Sequence, residues 1–287
     1  MGIAGTLHAT AIRIRSLYGR GDRRGQYASL LLAARQAGYE LVGLEEFHAR
    51  VLTERDDWRV FALRHDVDVC DVEGNESFRA MEQAIGARAT YYFRLTTAPA
   101  HAELIRRLLR SGFEVGYHYE EGATVAKRYG LEGRPALEAR RDEITHLFRN
   151  NCIEFKRRWN PDLRSIASHG DWINGRLGVA NTAFAPQELL TECGIGFEAY
   201  AEDFLGRFDV YVSDVGRYPA LWANDYGPYD AIANGDRRIC LLTHERRWHA
   251  SIRIGIAADL NRARDGLRYR WVRRSRSAGG NRNAARP

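Results

Sequence analysis

Cysteine is scarce in this chain: four residues in 287, at positions 70, 152, 193 and 240, with no Cys-x-x-Cys pair among them. That spacing implies no disulfide framework and suits a reducing compartment with buried thiols. Long hydrophobic runs are missing too. The opening stretch MGIAGTLHATAIRIRSLYGR carries Arg13, Arg15 and Arg20, and its apolar part is too short and too mixed for a signal-peptide core or a membrane span. A cytoplasmic chain is expected. No internal repeat appears, and no linker precedes the C-terminal tail. The net charge of +6 is also absent from most of the sequence: residues 262–287 hold nine arginines against the single Asp265, which leaves the remainder at −2. A nearly neutral body without interleaved basic and aromatic strands argues against a specific nucleic-acid surface.

What the chain does have is alternation. Helix-like patterns at 27–37, 76–86, 101–112, 135–150 and 186–194 are interleaved with apolar, strand-like runs at 41–44, 59–65, 89–95, 113–119, 165–169, 195–200, 208–214 and 237–244. With 45% hydrophobic residues to build a core, this alternation predicts an α/β fold: a distorted (β/α) barrel of about seven strands, in one domain over 26–261. An extension (1–25) precedes it. The arginine-rich tail (262–287), ending in Gly, Asn, Ala and Ser, is expected to be partly disordered.

Ligands of such barrels sit at the carboxyl ends of the strands. Four strand candidates end in residues that can do chemistry: ALRHDVD with His65, Asp66 and Asp68, EVGYHYEE with His118, SIASHGD with His169 and Asp171, and ICLLTHE with His244. One such histidine is ordinarily structural; four convergent ends are not. An aspartate and two histidines around an open position suit Zn²⁺ or a similar divalent ion. A second carboxylate nearby then serves as base and an opposed histidine as acid, so one aspartate binds metal and the other moves a proton.

The order of HDVD after an apolar strand, ATYYFRL, GFEVGYHYE and ICLLTHERRW resembles the polysaccharide deacetylase superfamily (carbohydrate esterase family 4 and its relatives), in particular the divergent branch of bacterial surface-polysaccharide biosynthesis. The resemblance covers roughly residues 26–250. It implies a distorted barrel and a divalent metal that promotes hydrolysis of an N- or O-acetyl group on a sugar. It further implies Asp66 as base, Asp68 and His118 as ligands, and His244 as acid. The family's second motif usually places another histidine four residues after the first, where this chain has Gly122. His169 is the nominee for the missing ligand, with Glu120, Glu121 and His65 as substitutes. The arginine that orients the base is sought at Arg64 or in RRWNPDLR.

The substrate expected from these readings is an acetylated sugar, nucleotide- or lipid-linked, with the basic tail near phosphates or an anionic membrane. Trp172, Asn174, Asp214, Arg217, Trp222 and Trp248 are candidates for lining a sugar subsite, and Cys70 reads as a buried, inert thiol. Two alternatives stand beside the enzyme. One is an inactive barrel that binds carbohydrate or serves assembly; the other is a protein that binds polyanions through its arginines.

Overall fold

The computed structural model describes residues 21–53, 57–216, 220–249 and 251–283. The extension expected over 1–25 therefore lies almost wholly outside the described residues, as does Arg217. Eight parallel strands form one sheet: β1 (Glu40–Val42), β2 (Val60–Val67), β3 (Thr90–Phe93), β4 (Glu114–Tyr119), β5 (Ser165–Ser168), β6 (Phe197–Glu198), β7 (Val210–Ser213) and β8 (Arg238–Thr243). Seven of them run in the order β6-β5-β4-β3-β2-β8-β7 and curl into a half-barrel surrounded by helices. The short β1 is the eighth and pairs with the first residues of β2. Among the described residues β6 and β7 do not pair, so the barrel is open between them.

β2 shows why the sheet curls with a polar mouth. Its eight residues, VFALRHDV, are all buried, and side chains alternate between the two faces. Phe61, Leu63 and Val67 pack outward among the helices; Val60 and Ala62 face the interior with Phe47, Trp58, Phe197, Phe204 and Phe208. Arg64 and Asp66 follow on that inner face. Gly116 on β4 leaves room for the Tyr92 ring, which a Cβ at that position would overlap. Tyr92 in turn lies beneath the Arg64 guanidinium, 5.2 Å from ring centre to Cζ.

At the other end of the barrel, the helix Leu44–Arg50 carries Phe47 into the aromatic interior. Its first amides are met by side chains at the starts of β3 and β4. Leu44 N donates to Thr90 Oγ1 (2.7 Å), and Glu45 N and Glu46 N donate to the two Glu114 carboxylate oxygens (2.7 and 2.8 Å). No described helix is long and apolar enough to cross a membrane.

Two expectations change. The helical pattern at 135–150 is two helices, Arg134–Glu138 and Arg141–Arg158, because Arg140 leaves helical geometry (φ −112°, ψ 18°). Its guanidinium stacks on Tyr129 at 3.8 Å and pairs with Glu143 at 2.9 Å. Residues 262–283 of the arginine-rich tail are helical: Ile252–Asn283 form one helix, so the boundary expected at 262 falls inside it, and the disorder expected at the tail's last residues, 284–287, lies outside the described residues. Tyr269 anchors this helix, buried and donating to Leu131 O at 2.7 Å. Gly130 allows the approach: its φ is +59°, and a Cβ there would lie 2.7 Å from Arg273 N.

Candidate functional site

The parallel register carries the carboxyl ends of β2, β4, β5 and β8 to one rim. His118 is opposite Ala167 on β5, and His65 is opposite Thr243 on β8. Asp66, Asp68, His118, His169 and His244 come together there around a cavity of about 440 Å³. His65 does not join them. It points outward, where Nε2 meets Glu82 Oε1 at 2.6 Å and Nδ1 meets Thr243 Oγ1 at 2.6 Å. Glu121 is likewise spent elsewhere, accepting from Tyr117 OH (2.6 Å) and Asn151 Nδ2 (2.7 Å).

Asp68, His118 and His169 each aim one ligand atom at a common point, all within 4.8 Å of one another. His118 Nδ1 is 2.9 Å from the Ala167 carbonyl and must donate to it, which leaves the Nε2 lone pair facing Asp68. His169 Nδ1 lies 3.1 Å from Glu120 Oε2 in the same manner. Glu120 is itself gripped by Arg94, with Nη2 at 2.7 and 2.8 Å from its two oxygens. Burial alone would raise the Glu120 carboxyl pKa, but the His169 hydrogen bond and the Arg94 charge hold it well below the usual range. A carboxylate behind a ligating imidazole fixes its tautomer and strengthens it as a ligand.

Whether a divalent ion fits can be tested on these atoms. Asp68 Oδ1 is buried without a hydrogen-bond partner, yet it lies 3.3 Å from His118 Nε2 and 3.4 Å from His169 Nε2. Bonds of about 2.0–2.1 Å at a tetrahedral angle separate two ligands by roughly 3.4 Å. The donor set and its spacing fit zinc or a similar ion. A second grouping, Glu120, His169 and Asp171, does not: Arg94 occupies Glu120, and Asp171 pairs with Lys127 (2.6 Å) and caps the helix Trp172–Leu177. Gly122, where the second motif would place its other histidine, already has Asn181 and Phe184 within 3.0–3.1 Å of any added Cβ. His169 instead arrives from the neighbouring strand.

On one side of the cluster stands Asp66. Arg64, two residues earlier on the same strand face, grips it with Nε–Oδ1 2.8 Å and Nη2–Oδ2 2.9 Å. Burial pushes the Asp66 pKa up, but the opposing interactions, the Arg64 charge foremost, outweigh it, and the carboxyl stays below its ordinary value. Tyr200 covers the Arg64 guanidinium at 4.0 Å and reaches Asp66 Oδ2 at 3.5 Å. Glu198 sets this loop by accepting from Ser168 N (2.8 Å) and Tyr200 N (2.6 Å).

On the other side stands His244, with Nε2 3.9 Å from Asp68 Oδ2 and Nδ1 2.7 Å from Asp214 Oδ1. Burial disfavours its charge, yet Asp214 more than compensates and raises its pKa to about 9. Asp214 accepts from His244 N (2.7 Å) and Trp248 Nε1 (2.9 Å) as well. Glu245, next in sequence, is buried with both carboxylate oxygens unbonded. Burial and the nearby Asp68 and Asp71 charges push its pKa well above the usual carboxylate range.

Several sugar-subsite candidates are thereby reassigned. Asp214 is fully buried behind His244, and Trp248 packs against Tyr27, Phe78 and Trp222. Asn174 caps its own helix. Trp172 does line a second cavity of about 440 Å³, which adjoins the first at Asp68, His169, Gly170 and Arg246. Cys70 is exposed on that cavity's wall rather than buried, with a thiol whose pKa desolvation raises. Sequence reasoning left Arg64 unassigned and missed the roles of Asp214, Tyr200 and the Arg94–Glu120 pair. Strand alternation signals Arg64, which shares its face with Asp66; the strand-end rule signals Asp214 and Tyr200.

No protein-family profile matches the chain, and no curated protein matches it. Solved structures similar to it include a BA3943 mutant described as a CE4 family pseudoenzyme with restored enzymatic activity. It is 10% identical, with 73% of this chain and 65% of that one covered and a TM-score of 0.41. The chain thus spans slightly less than two thirds of that structure. Another is the peptidoglycan deacetylase PdaC from Bacillus subtilis: 15% identity, 81% of this chain and 100% of that one, TM-score 0.40.

Proposed function

We propose that this protein is a metal-dependent hydrolase that removes an acyl group, acetyl above all, from a sugar or a sugar-linked precursor. One observation carries the reading. Three open ligand atoms from Asp68, His118 and His169 converge between an arginine-held carboxylate and a carboxylate-held imidazole. Asp68, His118 and His169 would hold the ion, which when bound supplies Lewis acidity toward an acyl oxygen and toward water.

The remaining chemistry belongs to the chain. Arg64 keeps Asp66 ionised and fixes the direction of its carboxylate, so that Asp66 accepts a proton from the attacking water. His244 is protonated at neutral pH through Asp214 and donates from Nε2 to the departing amine or alkoxide. Tyr200, stacked over Arg64, shields that pair from solvent, where water would weaken it. The glycine at 122, where the second motif has a histidine, speaks for an inactive, carbohydrate-binding barrel; the place of His169 in the cluster supports the enzyme.

The test is elemental analysis of purified protein followed by acetate release from a panel of N- and O-acetylated sugars. Near-stoichiometric zinc, or another divalent transition metal, with turnover abolished by chelation and restored by the metal is expected. Stoichiometric metal without acyl release from any panel member would favour the binding role, and absence of metal affinity would defeat the reading.

A further inference from the structure

The helix Ile252–Asn283 turns one face toward the barrel and leaves an apolar stripe on the other. At 100° per residue, Ile254, Ala258, Asn261, Asp265 and Tyr269 fall on the face toward the barrel. There they wall the second cavity or, for Tyr269, bury against Leu131. On the opposite side Ile256, Leu260, Leu267 and Trp271 fall within an arc of about 60°. They are 47%, 60%, 60% and 69% exposed. Other exposed large apolar residues, such as Leu52, Ile153 and Tyr229, lie elsewhere in the fold.

Arginines border this stripe. Between residues 253 and 276 there are eight, against two aspartates. Arg253, Arg264, Arg270 and Arg274 are exposed on or beside the arc.

The combination discriminates among occupants. A nucleic acid would neutralise the arginines and leave two leucines, an isoleucine and a tryptophan in water. A second copy of the chain would cover the stripe but bring together two helices with the same strong positive charge. A lipid surface with anionic headgroups answers both features: the apolar stripe enters the acyl boundary and the bordering arginines meet phosphate.

We infer that the C-terminal helix docks the protein on an anionic membrane surface, with Ile256, Leu260, Leu267 and Trp271 in the interface. A helix is about 10–12 Å across, and its other face walls the cavity beside Asp68 and His169. Docking therefore brings that cavity within one helix width of the lipid. This inference stands whether or not the protein hydrolyses acyl groups.

Co-sedimentation of the full chain with phosphatidylcholine vesicles, with and without phosphatidylglycerol, is the test. Binding is expected only to the anionic vesicles, weakening as salt rises. Leu260→Ser, Leu267→Ser and Trp271→Ser together leave Tyr269 in place and are expected to weaken binding by at least ~10-fold. Arg264→Gln and Arg274→Gln are expected to weaken it roughly fivefold each. If the triple variant melts early, quenching of tryptophan fluorescence by brominated lipid replaces it, compared between wild type and Trp271→Phe. Quenching that disappears in Trp271→Phe upholds the inference. No binding, equal binding to neutral vesicles, undiminished binding of the variants or quenching unchanged in Trp271→Phe overturns it. A dimer that the triple variant dissolves, without vesicle binding, would assign the stripe to a second copy and overturn it as well.

Discussion

Asp66 and Asp68 are two residues apart, yet their surroundings give them different work. Asp66 has both oxygens held by Arg64, whereas Asp68 Oδ1 has no hydrogen-bond partner and faces two imidazole nitrogens. Replacing Asp66 by Asn keeps the shape and removes the base. Metal content is expected to be unchanged while kcat falls by roughly 10²–10⁴, as for one general base. Steady-state kinetics on metal-loaded protein decide it, and a near wild-type kcat would return Asp66 to a structural role.

The His244–Asp214 pair makes a pH prediction. With its pKa raised to about 9, His244 is protonated across neutrality, and activity that needs the acid is lost only as pH rises through that value. The same shift stabilises the fold below the ordinary value of 6.5, a contribution that fades as pH climbs through about 9. Asp214→Asn removes the cause. The alkaline limb of the rate profile should then move down by more than a unit, with activity kept at pH 6 and lost by pH 8. An unmoved limb would show that another group sets it.

At the scale of elements, the candidate site depends on neighbouring strands presenting residues the local sequence does not pair. β4 supplies His118 and β5 supplies His169, joined by the Tyr119 carbonyl accepting from His169 N at 2.8 Å. His169→Ala is expected to lower metal affinity by at least ~10-fold while circular dichroism stays native, because the backbone contact survives. Undiminished affinity would exclude His169 as a ligand. The C-terminal helix depends on Tyr269 in a similar way. Tyr269→Phe leaves the Leu131 carbonyl without its donor and should cost about 1 kcal/mol; Tyr269→Ala adds a cavity and should cost about 3 kcal/mol. Urea titration measures both, and hydrogen exchange should show the loss concentrated in residues 252–283.

For the whole molecule, residues 262–276 of the arginine-rich end are part of the packed structure. Truncation before Arg262 removes Tyr269 and part of one cavity wall, so it is expected to lower the melting temperature and not merely to weaken an interaction with anions. A truncated protein that melts with the full chain would show the docking to be marginal. Glu45 gives a second global readout. Burial and the Glu114 charge raise its pKa from 4.5 to about 7, so between those values the unfolded chain ionises where the folded one does not. Stability therefore falls as pH rises through that window, and Glu45→Gln should flatten the slope.

The sequence by itself determined which segments become strands, that they are parallel, and that His, Asp and Asp gather at their carboxyl ends. Apolar runs, the alternation on β2 and the strand-end polar residues are local patterns, and local patterns survive in one dimension. Only the tertiary structure decided that His65 faces outward to Glu82, that Asp214 stands behind His244, and that Arg94 reaches across to Glu120. Each of those is a pairing between distant elements, fixed by sheet register and by which face a side chain takes. The C-terminal helix was the least legible part, because its polar composition hides a few residues, Tyr269 foremost, whose burial depends on Gly130 letting another backbone come close.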